Sequence, residues 1–280
     1  KYPAQYEIGR VSAETAAEDV AGAERNRLGV GDGPLFNLRG LLENDVGLRI
    51  FVVDLPSRVS AMFVYTDSLG GCIAVNRKHP EERRRLSLAH DYGHFLTSRY
   101  RAEVSTLERY LRLPEHERFA EEFARSFLLP AAGLRRRFHE LVRSREGNVT
   151  PADLCTLADL YFVSVEAMSR RLEELRLLTV GTWDRLQQRG FRVREAQRLL
   201  GLEPRPADDD LLPKRYLYLA LEAYERGDLS EGQFSRFLRV DRLRAREAAT
   251  QLADRAVLTE DGVIGTVPLD LQSRLTSPGI

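Results

Sequence analysis

The sequence predicts an α+β fold: a small mostly antiparallel sheet packed on a helical core, followed by an all-α C-terminal domain. Three observations lead there. Apolar, β-branched runs gather between residues 50 and 76. Segments with a 3.6-residue apolar repeat fill most of the chain before and after them. Apolar residues reach 43% against 30% charged, which is too apolar for a disordered chain and typical of a packed core.

Residues 12–28 read as a helix capped by Ser12, and Gly29, Gly31 and Gly33 end it. Asn37 caps a short helix over 37–46. IFVVDL at 50–55 is a strand stopped by Pro56, and SAMFVYT at 60–66 and CIAVN at 72–76 flank a Gly-containing turn as a hairpin. CIAVN is short enough to be an edge strand. From Pro80 the pattern turns helical, with Glu81 and Glu82 beside the positive end of the helix dipole. Residues 99–114 are charged and irregular. Amphipathic helices follow over 115–129 and 131–143. Residues 150–176 read as two helices around a tight turn, capped by Thr150 and Ser164. Further helices are expected over 183–200, 212–226, 230–238 and 241–255, with a polar break at 203–210 and a short hairpin near Glu260-Asp261-Gly262. The domain division this suggests is 1–180 and 181–280, with a helix-turn-helix-like pair at 150–176 inside the first.

Composition excludes several classes. Lys and Arg number 42, as do Asp and Glu, and this neutral balance argues against wholesale nucleic-acid binding. No apolar run approaches the roughly 20 residues of a membrane span, and no secretory pattern is visible, so a cytoplasmic protein is expected. Cys72 and Cys155 are far apart, lack a CxxC pattern and read as reduced thiols.

The chemistry-bearing stretch is Leu88-Ala89-His90-Asp91-Tyr92-Gly93-His94-Phe95. His90 and His94 are four apart on the expected helix, so both imidazoles leave one face. Such a pair can take two corners of a tetrahedral zinc site, or serve as two structural histidines. The residue after the first His is the place for a carboxylate general base. Here it is Asp91 rather than Glu, shorter in reach by roughly 1.5 Å. Gly93 removes bulk beside the second His, so another element can approach.

A third ligand is expected from the 115–129 helix, whose acidic candidates are Glu115, Glu117, Glu121 and Glu122. Its apolar stripe is Ala120, Phe123, Ala124, Phe127 and Leu128. At 100° per residue Glu117 lies nearest the stripe centre, Glu121 next, and Glu122 opposite. A carboxylate on a buried face needs a cationic partner, so Glu117 leads with Glu121 in reserve. Tyr92, Tyr100 and Tyr110 are candidate oxyanion donors, each more simply a packing residue. His116 reads first as an exposed residue of the capping region.

CIAVNRKHPEERRRLSLAHDYGHFL, followed by ERFAEEFARSFLLP, resembles the ImmA/IrrE metallopeptidase family. Its second motif, E-x-x-A-[ND]-x-F-A, is matched by Glu117-x-x-Ala120-Glu121-x-Phe123-Ala124, with Glu121 in place of Asn or Asp. The resemblance covers roughly 15–178. It implies a zinc-bearing helical core with Zn2+ on His90, His94 and Glu117, and Asp91 as catalytic base. It also implies substrate addition along the strand before the zinc helix, at Ala74, Val75 and Asn76. The activity implied is site-specific cleavage of a helix-turn-helix repressor in transcription regulation or stress response. DNA contact would come from an XRE-type helix-turn-helix lost upstream, since the chain starts at Lys1, or from the basic segment 229–252. Because Asp replaces Glu at 91, a second reading stands beside this one: a catalytically impaired regulator that uses the same fold to bind protein or DNA.

Overall fold

The computed structural model describes residues 2–9, 11–106, 114–202 and 211–255. Contacts divide the chain into Lys1–Pro213 and Lys214–Ile280.

In the first unit, α1 spans Ala13–Arg27, and the Ser12 hydroxyl accepts the Thr15 amide as its cap. Its inward residues Ala13, Ala16, Ala17, Val20 and Ala21 are small, which lets another helix lie close against it. α2, Leu38–Leu41, is capped by Asn37 and runs into one π-helical turn, Leu42–Val46. Gly47, at φ 88°, ends that turn in the left-handed region that glycine enters without steric cost. Then come β1 (Arg49–Val53), β2 (Val59–Thr66), β3 (Gly70–Asn76), α3 (Glu81–Thr97) and β4 (Glu103–Thr106). The helices α4 (Glu115–Leu128), α5 (Ala131–Ser144), α6 (Pro151–Tyr161), α7 (Val165–Glu174), α8 (Thr182–Gln188) and α9 (Val193–Leu199) complete the unit.

The sheet order is β1-β3-β2-β4. β1 runs parallel to β3, and β2 is antiparallel to both its neighbours. Side chains alternate as strand period demands. Ile50, Val52, Ala61, Phe63, Ile73 and Val75 are buried in the core that also holds Leu88, Phe95 and Leu96 of α3. Met62, Val64 and Val104 are exposed.

Two expectations about the sheet change. β3 is interior, not an edge, because the parallel partner β1 closes its second side. Ala74 pairs with Phe51 and Met62, and Val75 with Val52 and Ala61, so no further strand can add at Ala74–Asn76. Asn76 is fully buried and tied to the chain itself. Its amide donates to the Pro56 and Val59 carbonyls at 3.1 and 2.8 Å and accepts from the Lys78 amide at 3.1 Å. The other change is β4, which lies inside the stretch read as irregular. Four residues paired to one strand leave too short a pattern to read.

The C-terminal helices also differ in detail. The helix expected over 183–200 is two, α8 and α9, broken at Gly190 (φ 77°). Trp183 is buried in the first unit's core, so these helices belong with residues before 180 rather than after. The described residues of the second unit form α10 (Lys214–Glu225), α11 (Glu231–Leu238) and α12 (Arg242–Arg255). Its own small core is Ala220, Leu221, Phe234, Leu238 and Ala245. The hairpin expected near residue 261 lies outside the described residues. No described helix is long and apolar enough to cross a membrane.

Candidate metal centre

The centre is built where α3 crosses α4. A Cβ added at Gly93 would stand 3.1 Å from Phe123 Cδ1 and 3.2 Å from Ala120 Cα. Only a glycine permits that approach, as the sequence suggested. Below the crossing, Phe119, Phe123 and Phe127 stack at 6.0 and 5.3 Å along α4. Tyr92 meets Phe123 and Phe127 edge-on at 5.6 Å each. All four rings are buried, which holds the two helices in one rotational setting.

One turn before Gly93 is His90, and one turn before Ala120 is Glu117. The crossing therefore brings the two helix faces together at their ligand positions. His90 Nε2 and His94 Nε2 are 3.1 Å apart. Glu117 Oε2 is 3.3 Å from His90 Nε2, and Oε1 is 3.4 Å from His94 Nε2. Three donors about 2.05 Å from a tetrahedral zinc would stand roughly 3.3 Å from one another. The residues thus fit a divalent cation of that size. The donor set, two imidazoles and a carboxylate with an open side, also suits zinc in a reactive rather than a closed site. His94 is fully buried, while His90 and Glu117 keep 17% and 26% of their side-chain surface, so the open side faces solvent. Ser98 Oγ lies 3.4 Å from His94 Nδ1 and can hold that ring's orientation.

The electrostatics agree. Hydrogen bonds from His90 and His94 hold the Glu117 carboxyl well below the usual carboxylate range. Burial would lower the His90 pKa, but Glu117, with Asp91 and Glu121, raises it on balance. Both shifts have one cause: the three side chains together favour positive charge between them, which a bound cation would supply.

The other candidates separate clearly. Glu121 is 54% exposed and pairs with Arg125 at 3.8 Å, so it is no ligand. Asp91 is fully buried and lies outside the His90–His94–Glu117 cluster. Tyr92 donates to the buried Glu24 and accepts from Arg27 at 3.1 Å, which makes it a tie between α3 and α1 rather than an oxyanion donor. Tyr100 is exposed, edge-on to Tyr65 at 5.2 Å. Tyr110 lies outside the described residues.

Sequence reasoning missed a neighbouring cluster. Glu103, His116 and Glu117 place ligand atoms within 4.8 Å of one another. His116 Nε2 stands 3.7 Å from Glu103 Oε1 and 3.8 Å from Glu117 Oε1. Arg101 Nε, 2.8 Å from the same Glu103 oxygen, already supplies a positive charge there. Burial and Arg101 lower the His116 pKa. The available signal was the adjacency of His116 to Glu117. Glu103 had none, since β4 was not foreseen.

A helix bearing two histidines one turn apart, a glutamate from the next helix, and a sheet along their side are the arrangement of a metallopeptidase-type domain, with a side-chain group that could hold a divalent cation. Residues 43–173 match the family model of the IrrE N-terminal-like domain, a peptidase family, so this stretch of the chain is a domain of that family. No curated protein matches the chain.

Proposed function

We propose that this chain is a zinc-dependent endopeptidase that regulates transcription by cutting a helix-turn-helix repressor at one site. The observation that carries the zinc reading is the 3.1–3.4 Å spacing of the three donors on His90, His94 and Glu117. When bound there, zinc supplies Lewis-acid polarisation of a substrate carbonyl and an acidified water.

The chain's own residues do the rest. Asp91, beside His90 in sequence, acts as the proton acceptor and passes the proton to the leaving amine. His116, whose pKa is lowered by burial and Arg101, donates an N–H toward the carbonyl oxygen as negative charge develops. Glu103 orients it. Substrate lies along β4, not β3. β4 pairs with β2 on one side, no described strand occupies the other, and Glu103 sets it beside the donors.

The complete burial of Asp91 favours a second reading, an impaired enzyme that binds its partner without cutting. One experiment separates the two. Wild type, Asp91→Glu, Asp91→Ala and His90→Ala are loaded with zinc and incubated with a proteome-derived peptide library read by mass spectrometry. Cleavage by wild type that is lost in Asp91→Ala and His90→Ala supports the enzyme. Cleavage seen only in Asp91→Glu makes the natural chain a binding protein.

A further inference from the structure

The second unit has a feature that the metal centre does not use. α11 and α12 are joined by three residues, Arg239-Val240-Asp241, with Arg239 in the left-handed region at φ 55°, ψ 38°. An eight-residue helix, a left-handed residue opening a three-residue turn, and a second helix form a helix-turn-helix. Ser230 and Gln233 close a capping box at the start of α11, and the Asp241 carboxylate accepts the Arg244 amide at 2.8 Å at the start of α12. Phe234 and Leu238 of α11 pack with Ala245 of α12 and Ala220 and Leu221 of α10, and Phe234 stacks on Tyr224 at 4.6 Å. The pair is thus held by a third helix, as a three-helix DNA-binding module requires.

The chain contains its own control. α6 and α7 have the same geometry: Phe162 lies at φ 56°, ψ 43° and opens a three-residue turn. That second helix is consumed by packing. Met168, Ser169, Arg171, Leu172 and Glu173 are buried, and Arg171 is paired with Glu18, Glu122 and Glu174. α12 is the reverse. Arg242, Leu243, Arg244, Arg246, Glu247 and Thr250 are all exposed, and Arg236 and Arg239 are exposed beside them. Arg244 has Asp241 at 3.7 Å and Arg246 has Glu231 at 2.9 Å. Among the described residues, Arg236, Arg239 and Arg242 have no acidic partner.

We propose that residues 230–250 bind duplex DNA, with α12 entering the major groove and the arginines of α11 and the turn meeting phosphates. Cations on the first turn of an open second helix face base edges in this geometry, and those on the preceding helix and turn face the backbone. The proposal is independent of the peptidase reading, because it uses none of the metal-centre residues.

The test uses the full chain and fluorescence anisotropy with a labelled random-sequence duplex of about 30 base pairs. With three to five phosphates neutralised, affinity should fall about 250-fold between roughly 50 and 200 mM salt, for a log–log slope near −4. The double variant Arg236→Gln, Arg242→Gln should cut that fall to about 16-fold, a slope near −2. Arg236→Lys with Arg242→Lys should restore most of it, which a merely structural role would not. Arg170→Gln, on the packed α7, should change nothing. The proposal is overturned by no binding at low salt, by a slope that ignores the Gln variants, or by equal competition from polyglutamate at matched charge. The last result would point to an acidic protein instead.

Discussion

Gly93→Ala tests whether the helix crossing sets the metal centre. The added methyl would meet Ala120 Cα at 3.2 Å and Phe123 Cδ1 at 3.1 Å. Ala120 Cα is backbone and cannot rotate away, and the Phe123 ring is held between Phe119 and Phe127. Ordinary carbon contacts lie at about 3.5–4.0 Å, so α3 and α4 must separate by roughly 0.5 Å. Overpacking of this kind costs about 1–3 kcal/mol, while replacing a helical Gly by Ala returns about 1 kcal/mol. The metal-free protein should therefore lose about 0–2 kcal/mol, a modest change. Metal binding should suffer more, because ligand distances tolerate only about 0.2 Å. Glu117 sits one turn from Ala120 and moves with it, so zinc affinity should fall about 10–100-fold. Chelator competition gives the affinity, and urea denaturation without metal gives the stability. Gly22→Ala on α1 is the control, since nothing lies within 4 Å of its added Cβ. It should stabilise by about 0.5–1 kcal/mol and leave zinc affinity unchanged. Wild-type zinc affinity in Gly93→Ala would refute the idea that this close approach makes the ligands converge.

Glu117→Gln should abolish zinc binding while Glu121→Gln leaves it intact, measured by metal content after chelator-free purification. In the metal-free protein the raised His90 pKa contributes stability that is full below the unfolded value near 6.5 and is lost as pH rises through the folded one. The lowered Glu117 pKa contributes stability present above the unfolded carboxylate value and lost as pH falls through the folded one. Zinc needs neutral imidazoles, so its thermal stabilisation should grow from pH 6 to 8, and a shrinking shift in scanning calorimetry would contradict the site. Asn76→Ala should cost about 2–3 kcal/mol in urea denaturation by stranding the Pro56 and Val59 carbonyls, and should leave the substrate KM unchanged. His116→Gln should lower kcat with little change in zinc content; loss of the metal instead would make His116 a ligand.

The convergence of His90, His94 and Glu117 was legible in the sequence because helical spacing is a local property. Four residues make one turn, and the place of a carboxylate relative to an apolar stripe follows from 100° per residue. The caps Ser12, Thr150 and Ser164, the β2–β3 hairpin and the need for a glycine at 93 were readable for the same reason. Strand order was not. Whether β3 is an edge depends on where β1 docks, a contact made across the chain and not written in either segment. For that reason Ala74–Asn76 looked open to substrate and proved closed, and Asn76, taken as a binding residue, serves the β1–β2 turn. β4, with Glu103 and hence the setting of His116, was hidden likewise, since four residues carry too little pattern until a neighbour pairs with them.

The two helix pairs draw the same line. Their turn chemistry is encoded locally and looks alike at 162–164 and 239–241. Which second helix keeps an open face is decided by what packs on it. α7 lies among residues contributed by distant parts of the first unit, whereas among the described side chains α12 contributes Ala245, Ala248 and Ala249 to a core of a few side chains. Spacing along one element therefore determined which residues can share a face. Only the assembled structure decided which faces meet, because burial is a property of pairs of surfaces and no single segment contains both.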